Sequence, residues 1–195
     1  MLRYYVIYKP YQTLSQFTNT KGKKCLADYF KVEKDVYSIG RLDYDSEGLL
    51  ILSNDSSLNN QLLNPRFRHE REYWVQVDGD ISEDALTKIR KGVNINVDGK
   101  VYTTLPSKIR KLESEPNIPE RNPPIRFRKN IPTSWVAISL VEGKNRQVRK
   151  MMAAVGFPVL RLIRYRIENL VLEDMKPGEI RSLTRETMVK QLFGK

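Results

Sequence analysis

The segment that most restricts this chain is Gly40-Arg41-Leu42-Asp43-Tyr44-Asp45-Ser46-Glu47-Gly48, which runs straight into Leu49-Leu50-Ile51-Leu52. Three acidic residues stand at alternate positions in a glycine-bounded turn, and an unbroken aliphatic run follows. A run of that length and composition fits a buried strand. The turn then holds its carboxylates at the edge of a sheet, where backbone approach is close. Four readings are open from these residues alone. An exposed acidic loop is the simplest. A calcium loop fits Asp43, Asp45, Glu47 and Gly48 at its first positions, but Asn54 stands where the bidentate Glu belongs. A glycosidase pair would need a second carboxyl group at a defined distance. The last reading is a single nucleophilic or basic Asp43 presented beside Arg41.

Cys25 is the only cysteine and His69 the only histidine. An intramolecular disulfide is therefore impossible, and a reducing, cytoplasmic setting fits. The same scarcity argues against zinc, a Ser-His-Asp triad or a Cys-His dyad, so neither metal nor cofactor is expected. Chemistry must rest on carboxylates, guanidinium groups and phenols. The 34 Lys and Arg against 23 Asp and Glu give a net charge of +11, which suits a polyanionic partner. No apolar run is long enough to span a membrane.

Short strands are expected at Tyr4 to Tyr8 (closed by Lys9-Pro10), Leu49 to Ser53, Tyr73 to Val77 and Trp135 to Val141. One or two more fall between Pro158 and Leu172. Tyr73, Val75 and Val77 share one face, as do Val136, Ile138 and Leu140. Lys21 to Lys24 is a basic turn around Gly22. Helices are expected at Ser57 to Leu63, after Ser82 with Gly92 closing it, and after Thr184. Leu105 to Pro132 reads as a loop-rich connecting arm, with Pro106, Pro116, Pro119, Pro123, Pro124 and Pro132. The class is α+β, with a mixed, mainly antiparallel sheet, flanking helices and a central cleft. A single domain of two packed halves over residues 1–195 is expected.

Gly143 to Gly156 reads as a helix bracketed by glycines. Val148, Met151, Met152 and Val155 form its core stripe, Arg146 and Lys150 lie opposite, and Arg149 sits at the boundary. A basic cluster at a helix start fits best with an anion, phosphate being the obvious one.

Four ordered segments now carry a family resemblance. They are Lys9-Pro10, Gly40-Arg41-Leu42-Asp43 with Ser46-x-Gly48-Leu49-Leu50, Glu72-Tyr73-x-Val75-x-Val77, and Glu142-Gly143-Lys144-Asn145-Arg146-Gln147-Val148-Arg149. Together, from about Tyr4 to Leu183, they resemble the pseudouridine synthases of the ribosomal small-subunit synthase A type. The segments Arg121 to Arg126, Ile131 to Trp135 and Arg161 to Tyr165 are most similar to the large-subunit synthase E branch. Two positions depart, with Arg146 where many members carry His and Gln12 where many carry Gly. No room precedes Tyr4 for the S4-like RNA-binding module that many members carry.

The resemblance implies a pseudouridine synthase fold and isomerisation of uridine to pseudouridine in ribosomal RNA, at a large-subunit stem-loop, by a monomer without cofactor. It implies Asp43 as the catalytic carboxylate, Tyr73 stacked on the uracil and Arg149 paired with Asp43. Arg41, Arg126, Arg128, Lys129, Lys144, Arg146, Lys150, Arg161 and Arg164 are the expected phosphate contacts on the cleft rim. The alternative is a non-catalytic RNA-binding protein of ribosome assembly, for which the net charge and the basic arm suffice.

Overall fold

Aliphatic and β-branched runs become strands in this chain wherever a neighbouring strand can bury them. The computed structural model describes residues 1–125 and 132–194. Two compact units result, Met1–His69 with Ile163–Lys195, and Glu70–Leu162.

The first unit holds strands β1 (Tyr4–Lys9), β2 (Tyr37–Ile39) and β3 (Glu47–Ser53), and helix α1 (Ser56–Leu63). The second holds β4 (Arg71–Asp78), α2 (Glu83–Lys91), β5 (Asn94–Val97), β6 (Lys100–Thr103), β7 (Lys108–Lys111), β8 (Thr133–Leu140) and α3 (Gln147–Ala154). Strand β9 (Val159–Ile167) carries the chain back to the first unit, followed by β10 (Leu170–Val171), β11 (Ile180–Leu183) and α4 (Arg185–Phe193).

In the first unit the strand order is β11-β1-β3-β9. Strand β3 pairs antiparallel with β1 along one edge. Its other edge is shared, parallel to β9 at Glu47 and Gly48 and antiparallel to β2 at Ile51 to Ser53. The sheet is therefore mixed, and every residue of β3 is buried. This central place explains the unbroken Leu49 to Leu52 run, because a strand covered on both faces has no solvent side to alternate toward. Leu50 and Leu52 pack with Ile7, Leu26, Phe30 and Val36. Asp55 caps α1 by accepting from the Ser57 and Leu58 amides, and the helix begins at Ser56, one residue before the expected Ser57. Thr184 caps α4 as expected.

In the second unit β8 lies between β4 and β7, antiparallel to both. Val75, Val77, Val136 and Ile138 form its core with Leu86, Ile89, Met151 and Met152. Ser82 caps α2, and Gly92 closes it. Two expectations change here. The arm is not all loop, since β7 occupies Lys108–Lys111. It escaped notice because it is an edge strand with only Ile109 buried, too little for a periodic signal. The β5–β6 hairpin, turned through Asp98 and Gly99, also went unread. The late helix begins at Gln147 instead of Gly143. Arg146 takes a left-handed conformation (φ 53°), which ends helical geometry before it. Among the described residues, no helix is long and apolar enough to cross a membrane.

Candidate active site

The acidic turn joins β2 to β3, and it is pinned where it matters. The Ser15 hydroxyl accepts from the Leu42 amide (3.0 Å) and donates to the Leu42 carbonyl (2.8 Å). Ser15 in turn accepts a hydrogen bond from Ser38 on its own carbonyl (3.1 Å). On the far side, the Asp43 carbonyl accepts from the Ser46 amide (3.1 Å). The backbone around Asp43 is thus held on both flanks, which fixes where a half-buried carboxylate points. Asp45 is half-buried as well, but Glu47 is not a loop residue at all. It opens β3 and is buried.

Lys9 ends β1 in register with Gly48. It is fully buried (0% exposed), and its ammonium donates to the carbonyls of Pro10 (3.0 Å) and Thr13 (2.6 Å). Burial pulls its pKa down to about 7, against the pull of Glu47, Asp43 and Asp45 toward the charged form, while Arg164 adds to the lowering. The carboxylates offset part of the desolvation and do not cancel it. Arg164, on β9, is 4% exposed, and its Nε donates to the Leu49 carbonyl (2.8 Å). It faces Gly48 across the parallel pairing. Gly48 has a φ of +107°, and a Cβ there would stand 2.4 Å from the Arg164 carbonyl oxygen. Only glycine permits that approach. Lys9, Asp43, Asp45, Glu47 and Arg164 therefore make one electrostatic cluster at the head of β3. Its carboxylates and cations offset one another's burial, as buried charges require.

In the second unit, Tyr73 stands on β4, opposite Ile138 of β8, and packs against the core beside Val75. Arg149 is half-buried on α3, next to buried Val148. The residues before α3 form a braced turn. The Glu142 carboxylate accepts from Tyr102 Oη (2.5 Å), Gln147 Nε2 (2.5 Å) and the Leu105 amide (2.9 Å). Gln147 Oε1 accepts from the Lys144 amide (2.9 Å), and Lys144 Nζ lies 4.8 Å from the Tyr102 ring centre. The hydrogen bond to Glu142 pushes the Tyr102 phenol up from its ordinary pKa. Lys144 and Arg146 are exposed, and Lys150 is half-buried.

Several expected contacts stand elsewhere than expected. Arg161 and Arg164 are each 4% exposed, so neither stands on a rim. Arg161 Nη2 donates to the Pro119 carbonyl (2.8 Å), tying down the middle of the arm. Arg121 does the same for Pro123 and Pro124. Each of these guanidinium groups donates to at least one main-chain carbonyl. Arg41 is exposed, two residues before Asp43. Arg126, Arg128 and Lys129, with Phe127, lie outside the described residues. The sequence reading gives no site role to Lys9, Ser15, Tyr102, Glu142 or Gln147, and Glu47 enters it only as a calcium-loop position. Lys9, Glu142 and Gln147 stood inside recognised motifs. Tyr102 carries no local signal.

Residues 3–154 match the family model described as RNA pseudouridylate synthase. The chain is 54% identical over 171 residues to ribosomal large subunit pseudouridine synthase E of Vibrio parahaemolyticus, covering 88% of this chain and 69% of that one. It is 45% identical over 175 residues to the protein of the same name from Xanthomonas campestris, covering 89% and 91%. It is 34% identical over 182 residues to ribosomal large subunit pseudouridine synthase B of Bacillus subtilis, covering 93% and 68%. A crystal structure of a pseudouridylate synthase superposes with a TM-score of 0.78 at 24% identity, over 98% of this chain and 74% of that one. It has the same fold. These relatives carry large-subunit names, so the small-subunit synthase A label drawn from the motifs gives way to the broader family. The chain belongs to the RNA pseudouridylate synthase family of enzymes.

Proposed function

We propose that this enzyme isomerises a specific uridine of large-subunit ribosomal RNA, and that Asp43 is its catalytic carboxylate. The names of the relatives support the substrate class. The observation that supports the role of Asp43 is the backbone about it, held by Ser15 at Leu42 and by Ser46 at the Asp43 carbonyl, at the head of the charged cluster. A non-catalytic RNA binder has no use for a carboxylate fixed among cations, where it weakens affinity for phosphate.

In the reaction the C1′–N1 bond breaks, the uracil is retained and turned, and C1′ joins C5. The proton on C5 leaves and N1 gains one, so the isomerisation is redox-neutral. Asp43 serves as nucleophile or proton acceptor, with Tyr73 stacked on the base and Arg149 as the partner of the carboxylate. The target must leave its stack to be reached, which costs a few kcal/mol. Phosphate contacts from Arg41, Lys144, Arg146 and Lys150, and from Arg126, Arg128 and Lys129 of the arm, offset that cost. We further propose that residues 1–195 act as one catalytic body, a cytoplasmic monomer working on a stem-loop.

Pseudouridine mapping of ribosomal RNA from cells lacking the protein tests this. One large-subunit site should lose its modification. The wild-type chain should restore it and Asp43→Asn should not, while Asp45→Asn restores it largely. An unchanged large-subunit map, or restoration by Asp43→Asn, overturns the reading.

A further inference from the structure

The basic turn at Lys21 to Lys24 has no part in the site described so far. It closes a loop of residues 14 to 26 that is bonded throughout. The Leu14 amide donates to the Lys24 carbonyl (2.9 Å), and the Leu26 amide to that of Gln16 (2.9 Å). Gln16 Nε2 donates to the Thr18 carbonyl and to Thr20 Oγ1 (2.8 and 2.9 Å). At the tip the Lys23 amide donates to the Thr20 carbonyl (3.2 Å), with positive φ at Lys21 and Gly22 (57° and 67°). Positive φ at both central residues marks the tightest kind of reversal, which glycine favours.

This finger is fastened to the Asp43 loop at two places. At its base, Ser15 makes both of its hydroxyl bonds to Leu42. At its tip, Lys23 Nζ lies 4.8 Å from the ring centre of Tyr44, the residue after Asp43. A second stack stands beside the first, with Lys24 Nζ 5.6 Å from the Tyr29 ring centre. Lys21, Lys23 and Lys24 are all exposed. Asp28 is the carboxylate near Lys24, and it is already engaged by the Cys25 amide (2.7 Å). Elsewhere the finger offers uncharged Thr18, Asn19 and Thr20.

We propose that this finger is a second RNA-contact surface, on which Lys23 and Lys24 hold backbone phosphates of the unpaired strand flanking the target uridine. The inference rests on the proposed function and adds the strand's course past Asp43. An ammonium resting on an aromatic face has already lost much of its rotamer freedom, so binding a phosphate costs less ordering entropy. The two cations sit on consecutive residues; Lys23 rests on the loop that carries the reacting group, and Lys24 rests on Tyr29. A strand held there has its phosphates in a fixed relation to Asp43. Single-stranded RNA fits this surface better than duplex, because the flanking nucleotides must be released for the base to leave its stack.

The test uses the full chain, a uridylate oligomer as binding probe, and the large-subunit fragment spanning the mapped uridine as substrate. Lys23→Gln with Lys24→Gln should flatten the dependence of log K on log salt by about 1.4, at about 0.7 per single-strand phosphate. KM for the fragment should rise roughly tenfold, with kcat within about twofold of wild type, a change of about 1.4 kcal/mol in kcat/KM. Lys23→Arg with Lys24→Arg should keep both values. Lys88→Gln with Lys91→Gln, on exposed α2 positions, removes the same charge elsewhere and should leave the slope unchanged. An unaltered slope in the finger variant, or the same change in the α2 pair, overturns the proposal. So does a fall in kcat and thermal midpoint with the slope intact, which makes the lysines braces for the Tyr44 loop. If wild-type chain binds the oligomer but converts no uridine, the proposed function fails while the finger's slope still reads out.

Discussion

Lys9 and Gly48 show what single residues do here that no neighbour can. Lys9 is an ammonium buried at the end of a central strand, with its pKa near 7 instead of 10.5. The sign of its effect follows from proton counting. Between those values the unfolded chain holds a proton that the folded chain has lost, so folding becomes more favourable as pH rises from 7 to 10.5. Below pH 7 both states are charged, and the full burial penalty applies. Lys9→Met removes that slope. The stability difference between wild type and variant, from urea titrations, should move in favour of wild type by a few kcal/mol between pH 7 and 10. A flat difference across that window contradicts the assignment. At Gly48 the constraint is steric. Gly48→Ala must part β3 from β9 at the Arg164 carbonyl, and should cost about 3 kcal/mol, the upper end of overpacking penalties. Denaturant midpoints read it directly. Neither effect was legible beforehand. The close approach at Gly48 comes from a strand made much later in the chain, and nothing local in the sequence marks Lys9 as buried.

At the scale of elements, legibility followed periodicity. Strands β3, β4 and β8 and helix α2 were plain because their buried positions repeat, or run unbroken, over several residues, with caps at Ser82 and Gly92. Strand β7 and the β5–β6 hairpin were not, since these short strands bury at most one side chain each. Helix α3 is the instructive error. Its stripe of Val148, Met151 and Met152 was read correctly, but the projection was carried back through residues that are a turn. Glu142 and Gln147 hold that turn through side-chain bonds, which compete with helix formation. The basic group therefore splits in two. Arg146 belongs to the turn, and Arg149 to the helix. Arg146→Gly suits the left-handed backbone, so it should keep stability while flattening the salt dependence of RNA binding by about one unit of slope. Arg149→Met should leave that slope alone and depress single-turnover rates strongly. Filter binding at stepped salt, with rapid-quench kinetics, separates the two. Equal slopes for both variants would remove the distinction.

For the whole molecule, the +11 charge predicts that RNA affinity falls steeply with salt. The arm concentrates part of that charge at Arg126, Arg128 and Lys129, with Pro123, Pro124 and Pro132 limiting its backbone freedom. Charge reversal at Arg126 and Arg128 together should change thermal stability little. Activity on the target fragment should drop at least tenfold, on the order of 1.4 kcal/mol. Retained activity at moderate salt would leave selectivity to the remaining contacts. Burial of Arg161 and Arg164 was invisible from sequence, because an arginine in a basic segment looks the same whether it meets a phosphate or a carbonyl. The division of the chain also sets an order of events during synthesis. Residues 70–162 are contiguous and can complete their unit as soon as they emerge, while β3 must wait for β9 and β1 for β11. Gly48 and Arg164 are separated by about a hundred residues, on the order of ten seconds of translation. For that interval, and until β11 follows, the Tyr4 to Ile7 edge of β1 also stays open, a template for mispairing with other chains. An RNA pseudouridylate synthase would thus depend, at its own birth, on whatever shields that edge at the tunnel exit.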